Sequence, residues 1–485
     1  MIDFLENFDG SGREPRVLQH ELLSQLAKKW DVNPCVAVVA STGIGKTAIS
    51  RAIQLTTNAA VITANNLLVR QFATEYKTNY FFGAMNYSNH GAYDAAKLAA
   101  CDPENLTVYN SCSFRIAQKQ KDFIQPSVII IDESQSCLSL LTELTTTTLP
   151  IKRPQWLKSS VTSPESVIQF LLSVIADTNC RIKTALLKNK KIEARRLENR
   201  IVKYEDIIDA LRNEPEKMAV WTSYKQCAFG TRYSLHIKPT ILPKSFVDQF
   251  FKDSKVILLS ATVMPSDVTE LLGGRKYTRI EAGSSVPIER RQIYIQPTES
   301  VLSYPMPHKE VAARLDEILT NLPYRPALIH VTYGDMQAIA DNMKTPVLVH
   351  DKETKKDVLN DWLVNGGVLM GAGMAEGLDL KDDLCRLNII TKCAFPNLGD
   401  DYVNKKLALP GGKRWYALQA MKTLIQATGR AVRSDNDFAV TIVLDGRVGK
   451  LYNQVRDDVP ESFREALVWD LVSYDEIKNR IARLK

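Results

Sequence analysis

The first residues with recognisable chemistry are residues 40–47, Ala-Ser-Thr-Gly-Ile-Gly-Lys-Thr. They follow the apolar run VAVVA and precede AISRAIQL, so the pattern predicts a strand, a glycine-rich turn and a helix start. Backbone N–H groups of such a turn wrap phosphates, while Lys46 reaches the β and γ oxygens and Thr47 ligates Mg²⁺. The predicted phosphate-binding residues are Ser41, Thr42, Gly43, Ile44, Gly45, Lys46 and Thr47.

A pair of adjacent acids ends the second group, residues 127–133 (SVIIIDE). An apolar strand ending in two carboxylates can place Asp132 beside the metal and Glu133 where it orients and deprotonates water. Alone, two such acids could simply cap any strand. Together with the phosphate-binding turn upstream, they predict nucleotide hydrolysis.

Residues 426–433 (QATGRAVR) form the third group. Arg430 and Arg433 lie one helical turn apart and therefore on one face. Arginines of this kind neutralise the γ-phosphate and contribute about 10³–10⁵ in rate. An ordinary Arg-bearing helix does not explain the glutamine and glycine at these spacings. The predicted catalytic residues are Lys46, Asp132, Glu133, Gln426, Arg430 and Arg433.

Short β-branched runs alternate with helical stretches along most of the chain, which predicts α/β architecture with parallel sheets buried on both faces. The pattern stops near residue 140, resumes near 245 and restarts near 291. We therefore expect two tandem α/β domains, with a largely helical insertion in the first. The predicted boundaries are 1–140 and 246–290 for the first domain, 141–245 for the insertion and 291–485 for the second domain.

The insertion holds the densest positive charge, with nine basic residues and only two acids in residues 181–203. Apolar or small residues recur there at heptad spacing, which predicts a long helix packed on another helix. They are Ala194, Leu197, Ile201, Tyr204, Ile208 and Leu211. Lys190 also falls on this seam, so we expect its stem to be packed. Two interpretations stay open: a solvated hairpin, or a nucleic-acid-facing surface with Arg195, Arg196 and Arg200 as contacts.

The composition is that of a globular protein: 485 residues, 45% hydrophobic, 24% charged and a net charge of +7. This excludes a disordered tail protein, a collagen-like fibre and a coiled-coil rod. We find no membrane-spanning run and no secretory signal. The eight cysteines include no C-x-x-C pair, and in a long chain without a secretory signal they favour reduced thiols in a cytoplasm-like compartment. We expect a cytoplasmic protein of a bacterium or of a phage-infected cell.

Taken together, these motifs resemble superfamily 2 helicases, and more closely the XPD/DinG family. Residues 259–263 (LSATV) are similar to the family's coupling motif, in which the hydroxyls of Ser260 and Thr262 link hydrolysis to domain closure. Residues 375–379 (AEGLD) resemble its "EGLDL" motif, which implies nucleotide contacts from Gly377 and Asp379. The resemblance implies two RecA-like domains, bound ATP and Mg²⁺, and an Arch-like insertion.

Four further motifs follow the same resemblance. Arg16 and Gln19 are similar to the family's R-x-x-Q, whose glutamine reads adenine. The implied strand-binding residues of motifs Ia, Ib and IV are Thr63, Ala64, Asn65, Asn110, Thr332 and Tyr333.

The chain departs from the family where many members hold a [4Fe–4S] cluster. Residues 83–88 resemble the start of the cluster module, but Ser88 and Gly91 stand at cysteine positions. Only Cys101 and Cys112 lie between the phosphate-binding turn and the acid pair, and two thiolates cannot complete a four-cysteine site. We expect no iron–sulfur cluster.

The resemblance implies an ATP-dependent DNA helicase that moves 5′→3′ on single-stranded or forked DNA, in repair or recombination. A translocase or branch-migration motor with weak unwinding, an RNA helicase and a non-enzymatic nucleic-acid-binding scaffold remain alternatives. The scaffold is disfavoured because the predicted catalytic residues are all present. A loading, repair or replication partner is left open.

Overall fold

The structure is a computed structural model, and it describes the chain except for several short segments. The described residues are 2–8, 14–40, 44–83, 86–87, 90–151, 163–227, 230–261, 263–284, 286–303, 306–374, 380, 382–429, 431–432 and 437–484. The chain divides into two compact units, residues 1–40 with 45–282 and residues 283–485 with 41–44.

The described residues of unit 1 form ten strands and ten α-helices. The strands are β1 (Cys35–Val39), β2 (Ala60–Thr63), β3 (Tyr80–Phe81), β4 (Val108–Asn110), β5 (Val128–Asp132), β6 (Thr147–Ile151), β7 (Met218–Cys227), β8 (Gly230–Pro239), β9 (Lys255–Ser260) and β10 (Tyr277–Glu281). The helices are α1 (Val17–Lys28), α2 (Lys46–Thr57), α3 (Asn66–Tyr76), α4 (His90–Ala99), α5 (Ser111–Gln118), α6 (Ser134–Leu144), α7 (Pro164–Leu187), α8 (Lys191–Asn213), α9 (Lys244–Phe251) and α10 (Pro265–Leu271).

The main sheet of unit 1 has seven parallel strands in the order β10-β1-β9-β5-β2-β4-β3. Every residue of β1 and β2 is buried, as expected for strands covered on both faces. Strands β1 and β5 are both neighbours of β9, so the carboxyl ends of these three strands meet at one edge. In open parallel sheets such an edge is where ligands bind.

The insertion is a two-layer structure between α6 and α9. Helices α7 and α8 form a hairpin, and β6, β8 and β7 form an antiparallel sheet that the sequence analysis did not anticipate. The heptad prediction is confirmed, because the seam from Ala194 to Leu211 is buried except for the partly buried Ile201. The prediction for Lys190 is wrong: α8 begins one residue later, and 61% of the Lys190 side chain is exposed.

A buried ion pair fastens the insertion to the main sheet's helices. Arg115 of α5 donates from Nε and Nη2 to the two carboxylate oxygens of Asp206 on α8, at 2.9 and 2.5 Å. Lys119 approaches the same carboxylate at 3.4 Å, and the Arg115 guanidinium lies 5.3 Å from the Phe246 ring centroid. Two parallel charge-assisted hydrogen bonds fix both the distance and the orientation between the two side chains, so they define where α8 packs against α5.

Unit 2 is a second parallel α/β structure. Its strands are β11 (Ile293–Ile295), β12 (Ala327–His330), β13 (Val368–Gly371), β14 (Leu387–Ile390), β15 (Val440–Val443) and β16 (Leu467–Val468). Its helices are α11 (Glu299–Leu302), α12 (His308–Asn321), α13 (Tyr333–Ala340), α14 (Lys355–Asn365), α15 (Asp401–Leu407), α16 (Gly412–Thr428), α17 (Val448–Val455), α18 (Glu461–Ala466) and α19 (Tyr474–Ala482). The six strands are parallel in the order β13-β12-β14-β15-β11-β16.

These two parallel sheets confirm the predicted fold class. The apolar runs that the sequence pattern assigned to strands coincide with β1, β2, β5, β9, β12, β13, β14 and β15. Among the described helices, none combines the length and apolar character needed to cross a membrane.

Candidate nucleotide site and strand-binding residues

The phosphate-binding turn lies at the carboxyl end of β1, and its final glycine is tightly enclosed. Gly45 adopts a φ of +86°, and a Cβ added there would meet Gln19 Nε2 at 2.5 Å. The positive φ favours glycine, which has no Cβ, whereas the Gln19 side chain could move away from a larger residue. Lys46 and Thr47 follow in the first turn of α2, and Ile44 is buried. Ser41, Thr42 and Gly43 lie outside the described residues.

Gln19 connects the start of α1 to this turn. Its Oε1 accepts a hydrogen bond from the Arg16 backbone N–H at 2.8 Å, and its Nε2 donates to the Gly45 carbonyl at 3.5 Å. The two residues of the R-x-x-Q motif therefore lie beside the phosphate-binding turn, although they are far from it in sequence.

The acid pair lies at the carboxyl end of β5, across β9 from the turn. Asp132 is opposite Leu259 and Val39 is opposite Ser260, so the strand ends are nearly level. Glu133 adopts a φ of +58° and donates its backbone N–H to Asp132 Oδ1 at 3.1 Å. A non-glycine residue in this left-handed conformation is strained, and such strain is concentrated at functional sites.

The pKa of Asp132 is raised to about 6, first by burial and then by the neighbouring Glu133 charge. The Lys46 ammonium and the Glu133 N–H act in the opposite direction but do not restore the usual value. A bound divalent cation would supply the missing positive charge. The residues therefore fit Mg²⁺ held by Asp132 and Thr47, with nucleotide phosphates at Lys46 and the turn.

Ser260, one of the two proposed coupling residues, ends β9 between these two strand ends. Ser260 is fully buried, and its carbonyl accepts a hydrogen bond from the Ala40 N–H at 2.9 Å. This bond ties the end of β9 directly to the residue that precedes the turn. Thr262 lies outside the described residues.

The candidate residues of motifs Ia and Ib lie on adjacent strands, with Thr63 of β2 directly opposite Asn110 of β4. Ala64 follows, and the Asn65 side chain accepts from the Leu68 N–H, so it caps α3. Asn110 donates from Nδ2 to Asn66 Oδ1 at 2.5 Å.

The sequence analysis missed the asparagines that complete this group. Asn66 in turn donates from Nδ2 to Asn86 Oδ1 at 3.3 Å. Motif Ib is thus hydrogen-bonded to the first turn of α3 and, through it, to the loop after β3. The only sequence signal for these linked side-chain amides is that asparagines recur in this part of the chain, at Asn66, Asn86 and Asn110.

In unit 2, Thr332 and Tyr333 lie at the carboxyl end of β12. Thr332 Oγ1 donates to Asp335 at 2.7 Å, whereas the Tyr333 side chain is 43% exposed. The Tyr333 ring meets the His350 ring edge-on at 5.8 Å, and the Lys352 Nζ lies 5.9 Å from its centroid. The sequence analysis did not single out Lys352, which adds a cation to this exposed aromatic surface.

The other unit 2 candidates are described only in part. Gln426 lies partly buried in the last turn of α16. Gly377, Asp379, Arg430 and Arg433 lie outside the described residues.

The three candidate arginines of the insertion are not equivalent. Arg195 forms an ion pair with Glu198 at 2.7 Å and approaches Asp94 of α4 at 3.8 Å. Arg196 and Arg200 are exposed, and within the described part of the chain neither forms an ion pair. Arg195 is therefore paired within the protein, whereas the charges of Arg196 and Arg200 are available to bind an anion.

Comparison with known proteins follows the same outline. Residues 327–466 match the helicase C-terminal domain family. The ATP-dependent DNA helicase YoaA of Escherichia coli is 25% identical over 237 residues, covering 44% of this chain and 37% of YoaA. The ATP-dependent DNA helicase CHL1 of Yarrowia lipolytica is 31% identical over 130 residues, covering 20% of this chain and 16% of CHL1. The S. tokodaii Xpd4 structure has a TM-score of 0.55 at 14% identity, covering 94% of this chain and 100% of that chain.

The chain is XPD/DinG-like. The sequence resemblance is confirmed by the motif order, the matched C-terminal domain and these relatives. The matches span well under two thirds of the length of YoaA and CHL1. The likeness to Xpd4, at 14% identity, concerns the fold alone.

In this XPD/DinG-like chain, aromatic packing fills the described part of the region that resembles a cluster module. The Tyr93 ring lies 5.6 Å from both Phe81 and Tyr87, and the Tyr87 hydroxyl accepts the Phe82 N–H at 3.0 Å. Cys101 is buried and donates its thiol to the Lys97 carbonyl. Ser88 lies outside the described residues.

Proposed function

We propose that the chain is an ATP-dependent DNA helicase that moves 5′→3′ along a single strand. The observation that carries this proposal is the meeting of Gly45, Lys46, Asp132 and Glu133 at one sheet edge. There Asp132, a partly buried acid whose pKa is raised, ends a strand one strand away from the phosphate-binding turn. The relatives' printed names, which specify ATP-dependent DNA helicases, support DNA as the polymer.

In the proposed mechanism, Lys46 and residues 41–47 hold the phosphates while Asp132 and Thr47 hold Mg²⁺. Glu133 orients and deprotonates the attacking water. The second domain would complete the site across a cleft, through Gln426, Arg430, Arg433, Gly377 and Asp379. Adenine would be selected by Gln19 and Arg16. The first domain would comprise residues 1–140 and 246–290, the second residues 291–485, and the Arch-like insertion residues 141–245. Ser260 and Thr262 would couple hydrolysis to closure of the first domain on the second.

The strand would cross both domains. Thr63, Ala64, Asn65 and Asn110 would contact it in the first domain, and Thr332 and Tyr333 in the second. An exposed Tyr333 ring suits base stacking, which tolerates any sequence. Arg196 and Arg200 of the insertion would add phosphate contacts.

A single-turnover strand-displacement assay on duplexes with 5′, 3′ or forked tails tests this proposal. We expect ATP-dependent displacement of 5′-tailed and forked substrates. Strand-stimulated ATPase without displacement would favour the translocase alternative, and a preference for 3′ tails would contradict the polarity. RNA-tailed duplexes displaced equally well would contradict the choice of DNA.

Three substitutions test the nucleotide site. Lys46→Ala should lose nucleotide affinity, because it removes the β/γ contact, whereas Glu133→Gln should bind nucleotide but not cleave it. Arg433→Ala should keep ATP affinity within about threefold and lose about 10³ in turnover. Wild-type turnover by Arg433→Ala would show that the assigned arginine is wrong.

We also predict that the purified protein is colourless and contains no stoichiometric iron, because cluster ligands are missing at Ser88 and Gly91. Iron analysis and the visible absorbance spectrum after anaerobic purification measure this. About four irons per chain, the content of one such cluster, would contradict it.

A further inference from the structure

In the part of the chain that the structure describes, the outer end of the antiparallel sheet in the insertion is a two-stranded ribbon. The described residues of β6 pair with β8 over Tyr233–Ile237, whereas β7 and β8 continue to Cys227 and Gly230. Beyond β6, the described residues 224–227 and 230–232 pair only with each other. We call these residues the ribbon; neither it nor any other part of residues 218–239 contains Asp or Glu.

The ribbon has two chemically different faces. Tyr224 lies directly opposite Tyr233, with ring centroids 6.4 Å apart, and Tyr224 is 66% exposed. Lys225 lies directly opposite Arg232, and both are exposed. Because successive strand residues point to opposite faces, the tyrosines share one face and the two cations share the other.

This arrangement is unfavourable for folding alone. Like charges directly opposite each other destabilise an antiparallel pair. Among the described residues neither Lys225 nor Arg232 forms an ion pair, in contrast to Lys238 nearer the base, which pairs with Glu143 at 3.5 Å. An exposed tyrosine on one face of the ribbon and uncompensated cations on the other are explained if a polyanion with aromatic groups wraps around the ribbon.

We propose that the ribbon binds single-stranded DNA, with Tyr224 stacking on a base and Lys225 and Arg232 contacting phosphates. Stacking on an aromatic side chain combined with phosphate contacts is how single strands are held without sequence preference. This inference rests on the proposed DNA function and extends it to a surface outside the motor motifs and outside α8.

The first test is the salt dependence of single-strand affinity, measured by fluorescence anisotropy of a labelled oligonucleotide. Each phosphate contact on a single strand contributes about −0.7 to the slope of log affinity against log salt. The double variant Lys225→Glu/Arg232→Glu should therefore flatten the slope by about 1.4. Lys28→Glu/Lys276→Glu is the matched control, since both lysines are exposed near the β10 edge and the change in charge is equal; its slope should stay at the wild-type value.

The second test isolates the ring. Tyr224→Ala should weaken binding about tenfold without changing the slope, and Tyr224→Phe should stay within about twofold of wild type, because stacking needs the ring and not the hydroxyl. On an abasic oligonucleotide, Tyr224→Ala and wild type should bind equally. Because Tyr224 is exposed, its removal should leave the thermal unfolding midpoint and the DNA-free ATPase rate unchanged.

Each contrary result has a distinct meaning. Equal salt slopes for the ribbon variant and its control, in a wild type that binds DNA, overturn the ribbon proposal and leave the helicase proposal standing. A wild type that binds no single strand overturns both. Displacement of DNA by poly-glutamate, together with wild-type affinity in Tyr224→Ala, would assign the ribbon to acidic proteins and overturn its assignment to DNA.

Discussion

Asp132 and Asp206 are two carboxylates of unit 1 that the fold treats in opposite ways. Asp206 is 3% exposed, and Arg115 and Lys119 surround it with positive charge. Asp132 is beside Glu133, and no Lys or Arg of the described chain forms an ion pair with it. One carboxylate is neutralised by the protein itself, and the other has a raised pKa and no ion-pair partner among the described residues.

The comparison separates structural from functional charge. A buried charge is costly unless it is paired, and an unpaired one shifts its pKa toward the neutral form, a behaviour that is enriched at functional sites. The same distinction divides the arginines of α8, where Arg195 is paired while Arg196 and Arg200 are not. It also marks Lys225 and Arg232, whose charges face each other across the ribbon.

The largest expected effect concerns Asp132. Asp132→Asn should lower ATP turnover by at least about 10³, because it removes a metal ligand and its charge. It should not lower the free energy of unfolding, since no partner cation is left unpaired. Asp253→Asn, at an exposed carboxylate, is the control. Steady-state ATPase assays measure turnover, and chemical denaturation measures the free energy of unfolding. Full turnover by Asp132→Asn would contradict the claim that the charge of Asp132 serves ATP hydrolysis.

Asp206 should show the reverse pattern. Asp206→Ala should cost about 3–5 kcal/mol in the free energy of unfolding, because it leaves Arg115 buried and unpaired. The double variant Arg115→Met/Asp206→Leu should regain most of that loss, since an apolar pair of similar volume avoids the buried charge. Chemical denaturation measures both, and equal stability of the single and double variants would show that the pair is not coupled.

The sequence was sufficient for the elements whose patterns are local. Strands β1 and β5 are continuous apolar runs, and the seam of α8 keeps its heptad spacing, so each could be recognised without tertiary information. That assignment places Lys46, which follows β1, and Asp132, which ends β5, at the same edge of the sheet, because parallel strands present their carboxyl ends to one edge.

The features missed by sequence reasoning depend on contacts between distant residues. Strand β6 of the insertion lies far from its partner β8 in sequence, so their pairing leaves no local pattern. The pairing of Arg195 with Asp94 joins two elements that no local pattern connects. The net charge along α8 could therefore be counted from the sequence. Which of its cations form ion pairs in the fold could not be predicted from the sequence.

The smallest expected effect sharpens the comparison within one helix. Arg196→Glu/Arg200→Glu should flatten the salt slope of single-strand affinity by about 1.4, for two lost phosphate contacts. Arg195→Glu should leave that slope unchanged, because the fold already neutralises Arg195, and should instead lower the unfolding midpoint by placing a third acid beside Glu198 and Asp94. Anisotropy titrations across a salt series, with thermal unfolding of each variant, measure both effects. If Arg195→Glu flattens the salt slope by half as much as the double variant, its ion pairs with Glu198 and Asp94 do not keep Arg195 from binding DNA. An intramolecular ion pair would then not distinguish a structural charge from a functional one. If neither variant changes it, α8 is a solvated face and the strand contacts of the insertion must lie elsewhere.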